Sequence, residues 1–325
     1  MIEMLQVSGL SKTFKTGGIL NGKRISAVDD VSLSIDAGET LGLVGESGSG
    51  KSTTAKCILR LMQPDAGTVI FEGKDVLAAS GRSLRRSRLR MQMVFQDPYS
   101  SLTPTMKVRD IVTEPLLVHR NVKPSERTSE AKRLLAQVGM TDQAFLDRYP
   151  HEFSGGQRQR IAIARAVALG PSLLICDEAV SALDLSSQAA VINLFLRMQE
   201  EAGLGYLFVS HDLGVVRHVS DKVAVMYLGR IVESGPTEEI YKAPLHPYTA
   251  GLLASVPGNL DRGRTSRAQA VLAGEVPDPA NRPVGCSFAD RCPSAMKICR
   301  ETDPGLLQIG GSRQVACHLH TTSGT

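Results

Sequence analysis

The sequence lacks the features that mark membrane-spanning, secreted or strongly charged proteins. No uninterrupted apolar run approaches the roughly 20 residues that a membrane span needs. The opening residues MIEMLQVSGLSKTF contain no basic region followed by an apolar core, so we expect no secretory signal. The net charge of +4 is too small to indicate a nucleic-acid partner by itself. We therefore expect a cytoplasmic chain whose thiols stay reduced.

The composition is ordinary for a soluble globular protein, with 42% hydrophobic and 22% charged residues. A length of 325 residues allows two domains, or one large core with an appendage. The six cysteines are unevenly placed. Cys57 and Cys176 lie in apolar segments, whereas the last 40 residues contain the other four, Cys286, Cys292, Cys299 and Cys317.

The most informative stretch is residues 45–53, GESGSGKST, which matches the phosphate-loop pattern G-x-x-x-x-G-K-[ST] in full. An apolar strand is predicted before it, over 40–44, and a helix after it, over 54–62. The glycines let several backbone amides point at one anion, and the helix adds the positive end of its dipole. Lys51 is predicted to reach the β- and γ-phosphates, and the Ser52 hydroxyl to bind Mg²⁺. The residues predicted to bind nucleotide here are Gly45, Ser47, Gly48, Gly50, Lys51, Ser52 and Thr53.

Strands alternate with helical patterns along most of the chain, which predicts an α/β fold with a mostly parallel sheet. A helical insert is predicted at about 97–150. Beyond residue 257 the sequence is rich in Pro, Gly, Arg and Cys with little periodicity, so we predict domains at 1–257 and 258–325. Residues 82–90 hold five arginines, a pattern typical of a solvated face, with nucleic acid or acidic head groups as alternative contacts.

Two further motifs favour phosphate chemistry. Asp177 and Glu178 end the apolar run 173–176, where a carboxylate is expected to hold Mg²⁺ through water and its neighbour to polarise the attacking water. The sequence Ser154-Gly155-Gly156-Gln157 opens a predicted helix and offers a second set of amides to a phosphate. One chain folding both motifs onto a single γ-phosphate is possible on these grounds, and so is an exchange between two chains arranged head to tail.

These motifs, with Gln96 after a strand, the run 181–184 (SALD) and His211 after the next strand, occur in the order of an ABC transporter ATPase, which the chain resembles over residues 1 to about 235. Residues 96–104, 176–184 and 246–249 further resemble the oligopeptide/dipeptide importers, most closely their second, F-type, ATPase subunit. The resemblance implies a P-loop ABC-type nucleotide-binding domain. Such a domain has a mostly parallel sheet core, an antiparallel β subdomain and a helical subdomain, and is followed here by a cysteine-containing C-terminal extension.

The resemblance also implies roles for individual residues. Gln96 would contact Mg²⁺ and the attacking water, and His211 would contact the γ-phosphate, so that both join Glu178 as catalytic residues. Residues 154–157 would cap the ATP of an opposing subunit, across a seam that includes Asp184. Phe14 would stack on adenine, although a lone phenylalanine is also compatible with a core position.

The function implied is that of an ATPase that uses ATP and Mg²⁺ to power import of peptides or peptide-like solutes. It would work as a peripheral protein at the cytoplasmic face of the inner membrane. Its implied partners are a second ATPase subunit (a paralogue, giving a heterodimer), two permease subunits and an extracytoplasmic solute-binding protein, with no nucleic acid. The alternative is a soluble ABC ATPase that acts on nucleic acid or ribosomes through residues 82–90. The single cassette and short helical insert of this chain disfavour that alternative.

The four C-terminal cysteines follow the spacing C-x5-C-x6-C-x17-C. Zinc sites usually contain closely spaced C-x2–4-C pairs, and four isolated thiolates suit a 4Fe–4S cluster better. Similar extensions in the family hold such a cluster. The sequence therefore predicts Cys286, Cys292, Cys299 and Cys317 as cluster ligands, with zinc or no metal as alternatives, and it leaves open whether a cluster would be structural or redox-active.

Overall fold

The structure is a computed structural model that describes residues 3–16, 23–120, 122–255, 277 and 282–321. The chain forms two compact units. The first unit contains residues 1–2, 36–39 and 79–208, and the second contains 3–35, 40–78 and 209–325. The boundary predicted at residue 257 lies outside the described residues, so the domain limits 1–257 and 258–325 stay predictions.

Strands and helices alternate along the chain, as the apolar patterning predicts. In chain order the strands are β1 (Glu3–Thr16), β2 (Lys23–Asp36), β3 (Thr40–Val44), β4 (Ala66–Phe71), β5 (Lys74–Asp75), β6 (Met91–Val94), β7 (Leu173–Asp177), β8 (Gly205–Ser210), β9 (Lys222–Tyr227), β10 (Arg230–Pro236), β11 (Leu307–Gln308) and β12 (Gln314–Val315). The helices are α1 (Lys51–Ile58), α2 (Gly81–Arg90), α3 (Pro98–Ser101), α4 (Val108–Arg120), α5 (Arg127–Gln137), α6 (Gly155–Val167), α7 (Leu185–Ala202), α8 (Leu213–Val219), α9 (Thr237–Lys242), α10 (Pro247–Ala254) and α11 (Ile298–Glu301).

The second unit combines two sheets. One has the order β2-β1-β4-β5, in which β1 runs antiparallel to β4 with Leu5 opposite Phe71. In the other, the fully buried strand β3 runs parallel to β9, with Leu41 opposite Lys222. Strand β9 continues through antiparallel pairs to β10, β12 and β11. A strand buried on both faces reads as an apolar run, which is why TLGLV is recognisable as β3.

The first unit contains the helical insert, which the structure builds from α3, α4, α5 and 3-10 turns at Pro124–Glu126, Gln143–Asp147 and Pro150–Glu152. Its strands β6 and β7 are parallel neighbours, with Met91 opposite Leu173 and Val94 opposite Cys176. Because the two strands share a direction and a register, their carboxyl ends lie at the same edge. Any polar residues just after them are thereby brought together.

Two local predictions differ from the structure. The helix after the phosphate loop begins at Lys51 and ends at Ile58, not at residue 62, because Arg60 adopts a left-handed conformation (φ 51°) ahead of Pro64. The arginine run 82–90 is exposed as expected at Arg82, Arg85 and Arg86, but it forms a regular helix, α2. Within the part of the chain that the structure describes, we find no helix with the length and apolar character of a membrane span.

Candidate nucleotide-binding and catalytic residues

The phosphate loop connects β3 to α1 in the second unit, the strand–loop–helix context that the motif requires. Gly45, Gly48 and Gly50 have φ values of 153°, 79° and 106°. A Cβ atom on Gly45 would lie 2.1 Å from the carbonyl oxygen of Met226, and one on Gly50 would lie 2.1 Å from that of Ala27. The glycines are therefore needed both for the left-handed turns and for the close approach of neighbouring backbone.

Lys51 lies inside this loop, with only 4% of its surface exposed. Its Nζ donates to the carbonyl oxygens of Gly45 and Glu46, both at 2.8 Å, and to Ser49 Oγ at 3.3 Å. Helix α1 starts at Gly50 without a side-chain cap, so the amides of its first turn are not covered by a capping side chain. A buried ammonium group beside the first turn of a helix is the arrangement that the predicted phosphate site requires.

The other predicted residues of this motif follow the same path. Ser47 and Gly48 are exposed at the tip of the loop, while Ser52 and Thr53 are half-buried in the first turn of α1. Their places on the loop and helix are those that the motif predicts, and their contacts with phosphate and Mg²⁺ stay predictions.

In the first unit, Gln96 and Glu178 meet directly. Gln96 follows β6 and Glu178 follows β7, and Gln96 Nε2 donates to Glu178 Oε2 at 2.7 Å. The parallel pairing of the two strands explains the meeting, since both residues leave the sheet at the same edge. The sequence predicted each residue separately, but only the strand pairing shows that they touch.

The backbone at the end of β7 is unusual. Asp177 is the last residue of the strand and is 5% exposed, and Glu178 has a positive φ of 50°. A left-handed conformation is rare for a residue other than glycine, asparagine or aspartate and costs of the order of 1 kcal/mol or more. Such strain is concentrated at functional sites, where it directs a side chain away from the path of the strand.

The Ser-Gly-Gly-Gln motif begins α6 in the same unit. Ser154 Oγ accepts from the Gln157 amide at 3.3 Å and Gln157 Oε1 accepts from the Ser154 amide at 3.0 Å, a reciprocal capping box. A Cβ on Gly156 would lie 2.8 Å from Ser187 Oγ at the start of α7. This contact brings the motif beside Asp184, which caps α7, so the structure joins two elements that the sequence predicted for one seam.

Asp184 is exposed and ionised. It accepts from Ser186 Oγ at 2.5 Å and from the Ser187 amide at 3.0 Å, and these hydrogen bonds hold the pKa of its carboxyl well below the ordinary value. A fixed carboxylate next to the exposed Ser154 gives this surface a defined polar pattern.

Comparison with known proteins agrees with this geometry. Residues 28–181 match the family described as ABC transporter, and residues 232–299 match the one described as oligopeptide/dipeptide transporter, C-terminal region. The oligopeptide transport ATP-binding protein AppF of Bacillus subtilis is 53% identical to this chain, over 91% of the chain and 90% of AppF. The chain belongs to the ATP-binding proteins of oligopeptide/dipeptide ABC transporters.

Other relatives of this family support the same assignment. A peptide import ATP-binding protein of Brucella abortus is 48% identical over 98% of this chain and 94% of its own length. Among solved structures, the dimeric ATP-binding cassette MJ0796, in a post-hydrolysis state with ADP and Pi, is 29% identical with a TM-score of 0.65. It covers 72% of this chain and 99% of its own. The predicted ABC-type α/β fold and ATPase class are thereby confirmed.

Two more residues with family roles lie in the second unit. His211 is exposed directly after β8, and the next residue, Asp212, caps α8 by accepting from the amides of Gly214 (2.9 Å) and Val215 (3.2 Å). Phe14 is half-buried near the end of β1, with Lys12 Nζ 5.9 Å from its ring centroid. The roles of His211 at the γ-phosphate and of Phe14 at adenine stay predictions.

The C-terminal segment contacts the phosphate loop, which sequence reasoning missed. Arg291 forms a two-point ion pair with Glu46, from Nη1 to Oε2 at 2.8 Å and from Nη2 to Oε1 at 3.0 Å. Tyr248 Oη accepts from the Glu46 amide at 2.9 Å. The sequence offers little sign of this contact: an arginine between two cysteines, and a glutamate inside the phosphate-loop motif. Arg291 and Glu46 are 245 residues apart in the chain.

The four C-terminal cysteines line one small cavity in the second unit, together with His246 and His318 among others. Cys299 and Cys317 are buried and Cys286 and Cys292 are half-buried, and all four are free thiols. However, the described residues contain no group of three or more His, Cys, Asp or Glu side chains placed to hold a metal ion. The convergence of the thiols agrees with the sequence prediction, whereas their arrangement does not support the predicted 4Fe–4S cluster.

Proposed function

We propose that this chain binds and hydrolyses ATP at the cytoplasmic face of a membrane and thereby powers the import of peptides. The observation that carries the ATPase part is the phosphate loop closed around a buried Lys51, because that arrangement has no other common use than to hold a nucleotide's phosphates. The peptide part rests on the relatives, which are named for oligopeptide transport and peptide import.

Hydrolysis requires a group that polarises water, and Glu178 is the residue we assign to it. Its carboxylate is held by Gln96 at 2.7 Å and displayed by a left-handed backbone at the end of a buried strand. General-base assistance of this kind contributes about 10²–10⁴-fold to a rate. His211 would contact the γ-phosphate from the end of β8.

Mg²⁺ is the cofactor that this chemistry implies, and the residues suit it. Mg²⁺ prefers hard oxygen ligands, and Asp177, Gln96 and Ser52 all offer them. The buried Asp177 would act through water and the Ser52 hydroxyl directly. When bound, Mg²⁺ would offset the charge of the β- and γ-phosphates.

We assign the Ser-Gly-Gly-Gln motif to the nucleotide of a second ATPase subunit. The surface that carries it is open, since Ser154 and Asp184 are exposed and Leu185 has 85% of its surface exposed. A large apolar side chain beside fixed polar groups favours a protein–protein interface. The motif and the aspartate would then lie across the seam of an ATPase pair, whose second member we take to be a paralogue.

The helical insert is the surface we assign to the permease. Tyr99 on α3 and Val118 on α4 are 61% and 59% exposed, which is uncommon for large apolar side chains that have no partner to meet. Through this contact the chain would be a peripheral membrane protein working with two permease subunits and an extracytoplasmic solute-binding protein.

For the C-terminal cysteines we retain a bound 4Fe–4S cluster as a proposal, supported by the four free thiols on one cavity. Burial, and to a smaller extent the neighbouring cysteines, raise the pKa of Cys286, Cys292 and Cys317, and that of Cys317 is raised to about 11. Metal binding would therefore have to displace protons and draw the four sulfur atoms together. A cluster here would act as a staple for a small segment.

Anaerobic purification tests the cluster. A brown protein with broad absorption near roughly 400 nm that is bleached by Cys292→Ser would support it. Cys57→Ser is the matched control, since Cys57 is a buried thiol on α1 and is not among the residues that line this cavity. A colourless protein with one bound zinc, or with no metal, would contradict the cluster.

The proposed function is tested by purifying the chain with whatever subunits accompany it. We expect a permease pair and a second ATPase, and ATP-dependent uptake of peptides after reconstitution into vesicles. Co-purification with ribosomes or nucleic acid, and ATPase activity stimulated by them, would instead support the alternative that acts through α2.

A further inference from the structure

The ion pair between Arg291 and Glu46 places the C-terminal cysteine segment in direct contact with the phosphate loop. Arg291 lies between Cys286 and Cys292, and its side chain is only 5% exposed, while that of Glu46 is 23% exposed. A two-point guanidinium–carboxylate pair at 2.8 and 3.0 Å is geometrically specific and shielded from solvent. Such a pair fixes the position of both partners.

Glu46 is also among the residues whose oxygen atoms accept from Lys51 Nζ, together with Gly45 and Ser49. Its carbonyl oxygen accepts from Lys51 Nζ at 2.8 Å, and its amide donates to Tyr248 Oη at 2.9 Å. The side chain, the amide and the carbonyl of this one residue are therefore all engaged. A shift of its side chain would be passed to the ammonium group that is to meet the phosphates.

An aromatic cluster packs against the arginine of the ion pair. Tyr227, Tyr248 and Phe288 pack with ring centroids 4.6–5.4 Å apart, and Tyr227 Oη lies 3.4 Å from Arg291 Nη1. Phe288 belongs to the same segment as Arg291, between the first two cysteines. The segment thus meets the loop through a packed and largely buried contact.

We propose that Arg291 is a positioning residue for ATP binding, and that through it the C-terminal cysteine segment sets the affinity of the phosphate loop. Arg291 holds Glu46 in the position from which its carbonyl orients Lys51. It also neutralises a carboxylate that stands within a loop built to receive an anion. Without Arg291, that negative charge would repel the triphosphate. This inference rests on the proposed ATP binding and adds to it a residue outside all the nucleotide motifs.

The test measures the affinity of the full-length chain for Mg-ATP by titration calorimetry. Arg291→Gln should raise the Kd about tenfold, or about 1.4 kcal/mol, because Glu46 is left charged and free to move. In the assembled transporter the same variant should raise KM for ATP with little change in kcat. The double variant Arg291→Gln with Glu46→Gln should recover to within about threefold of the parent Kd, since the unpaired charge is gone.

Arg313→Gln is the matched control. Arg313 is another largely buried arginine of the C-terminal segment, but its partner at 2.8 Å is Glu233 on β10 instead of a residue of the loop. Its loss should lower thermal stability and leave the Kd within about twofold of the parent. Equal Kd values for the parent and Arg291→Gln, equal weakening by Arg291→Gln and Arg313→Gln, or no recovery in the double variant would each overturn the inference.

Two results keep the test decisive. Should Arg291→Gln fail to fold, Arg291→Lys retains the charge but loses the two-point geometry, and it should weaken binding about threefold; parent affinity in that variant contradicts the inference. If the parent protein does not bind Mg-ATP at all, the proposed function is contradicted. If the parent and its variants bind Mg-ATP equally well, only the role of Arg291 is contradicted.

Discussion

The two helix starts assigned to phosphate are built in different ways. Helix α1 begins at Gly50 with no capping side chain, and its approach is a glycine loop wrapped around Lys51. Helix α6 begins at Ser154, whose side chain and that of Gln157 satisfy each other's backbone amides. The start of α1 has no side-chain capping hydrogen bond, whereas the start of α6 has two of its amides satisfied by its own side chains.

This difference indicates a division of work. The start of α1 has a cation and several amides, so we expect it to hold phosphate without help from another chain. The start of α6 is capped by its own side chains, so we expect it to offer fewer amide donors and to serve as a surface that a second chain presents. Three substitutions test these two roles, in order from the largest expected effect to the smallest.

Removing the Lys51 ammonium group at the start of α1 should have the largest effect on ATP binding. Lys51→Ala should weaken Mg-ATP binding by about 100-fold or more, because it removes the buried ammonium group that we propose to contact the phosphates. Equilibrium binding of a fluorescent ATP analogue measures it. Lys56→Ala, in the last turn of the same helix, should bind like the parent, and equal losses in both variants would refute the special place of Lys51.

Removing the Glu178 carboxylate, which we propose to be catalytic, should separate ATP binding from ATP turnover. Glu178→Gln keeps the hydrogen-bonding shape beside Gln96 but not the charge, so kcat should fall at least tenfold while ATP affinity stays near the parent value. The ATP-bound ATPase pair should then accumulate on size-exclusion chromatography. Glu200→Gln, an exposed position on α7, is the control. Activity above a tenth of the parent rate would show that another group polarises the water.

Removing the Ser154 cap at the start of α6 should give the smallest effect, and that effect should depend on assembly of the transporter. Ser154→Ala removes one cap, which costs about 1 kcal/mol of local stability, and leaves ATP affinity of the isolated chain unchanged. ATPase activity of the assembled transporter should fall several-fold, and in the Glu178→Gln background the pair should form less readily. Ser129→Ala, an exposed serine in α5, should change neither. Weaker ATP binding by the isolated Ser154→Ala chain would mean that α6 acts on the nucleotide of its own chain.

Sequence patterns predicted the parts of this molecule whose chemistry is local. The phosphate loop could be recognised because its glycines, Lys51 and flanking strand and helix are contiguous, and the capping box of α6 is contiguous too. The contact of Gln96 with Glu178 could not, because it depends on the register of two strands about 80 residues apart. The pair of Arg291 with Glu46 depends on tertiary packing alone. Helix α2 was missed because its five arginines hide the apolar periodicity on which recognition of a helix depends.

The residues that enclose the phosphate loop also determine at which stage of folding the loop can form. At positions 45 and 50, only glycine leaves room for the neighbouring carbonyl groups of Met226 and Ala27. In addition, the amide of Gly229 donates to the carbonyl oxygen of Ser49 at 2.8 Å. About 180 residues separate Gly45 from Met226 and Ser49 from Gly229, so we expect these two contacts to close late in folding. During synthesis we expect the enclosure of the loop to be incomplete until residue 229 has left the ribosome. We therefore expect the most conspicuous stretch of the sequence to be among the last to take its native shape.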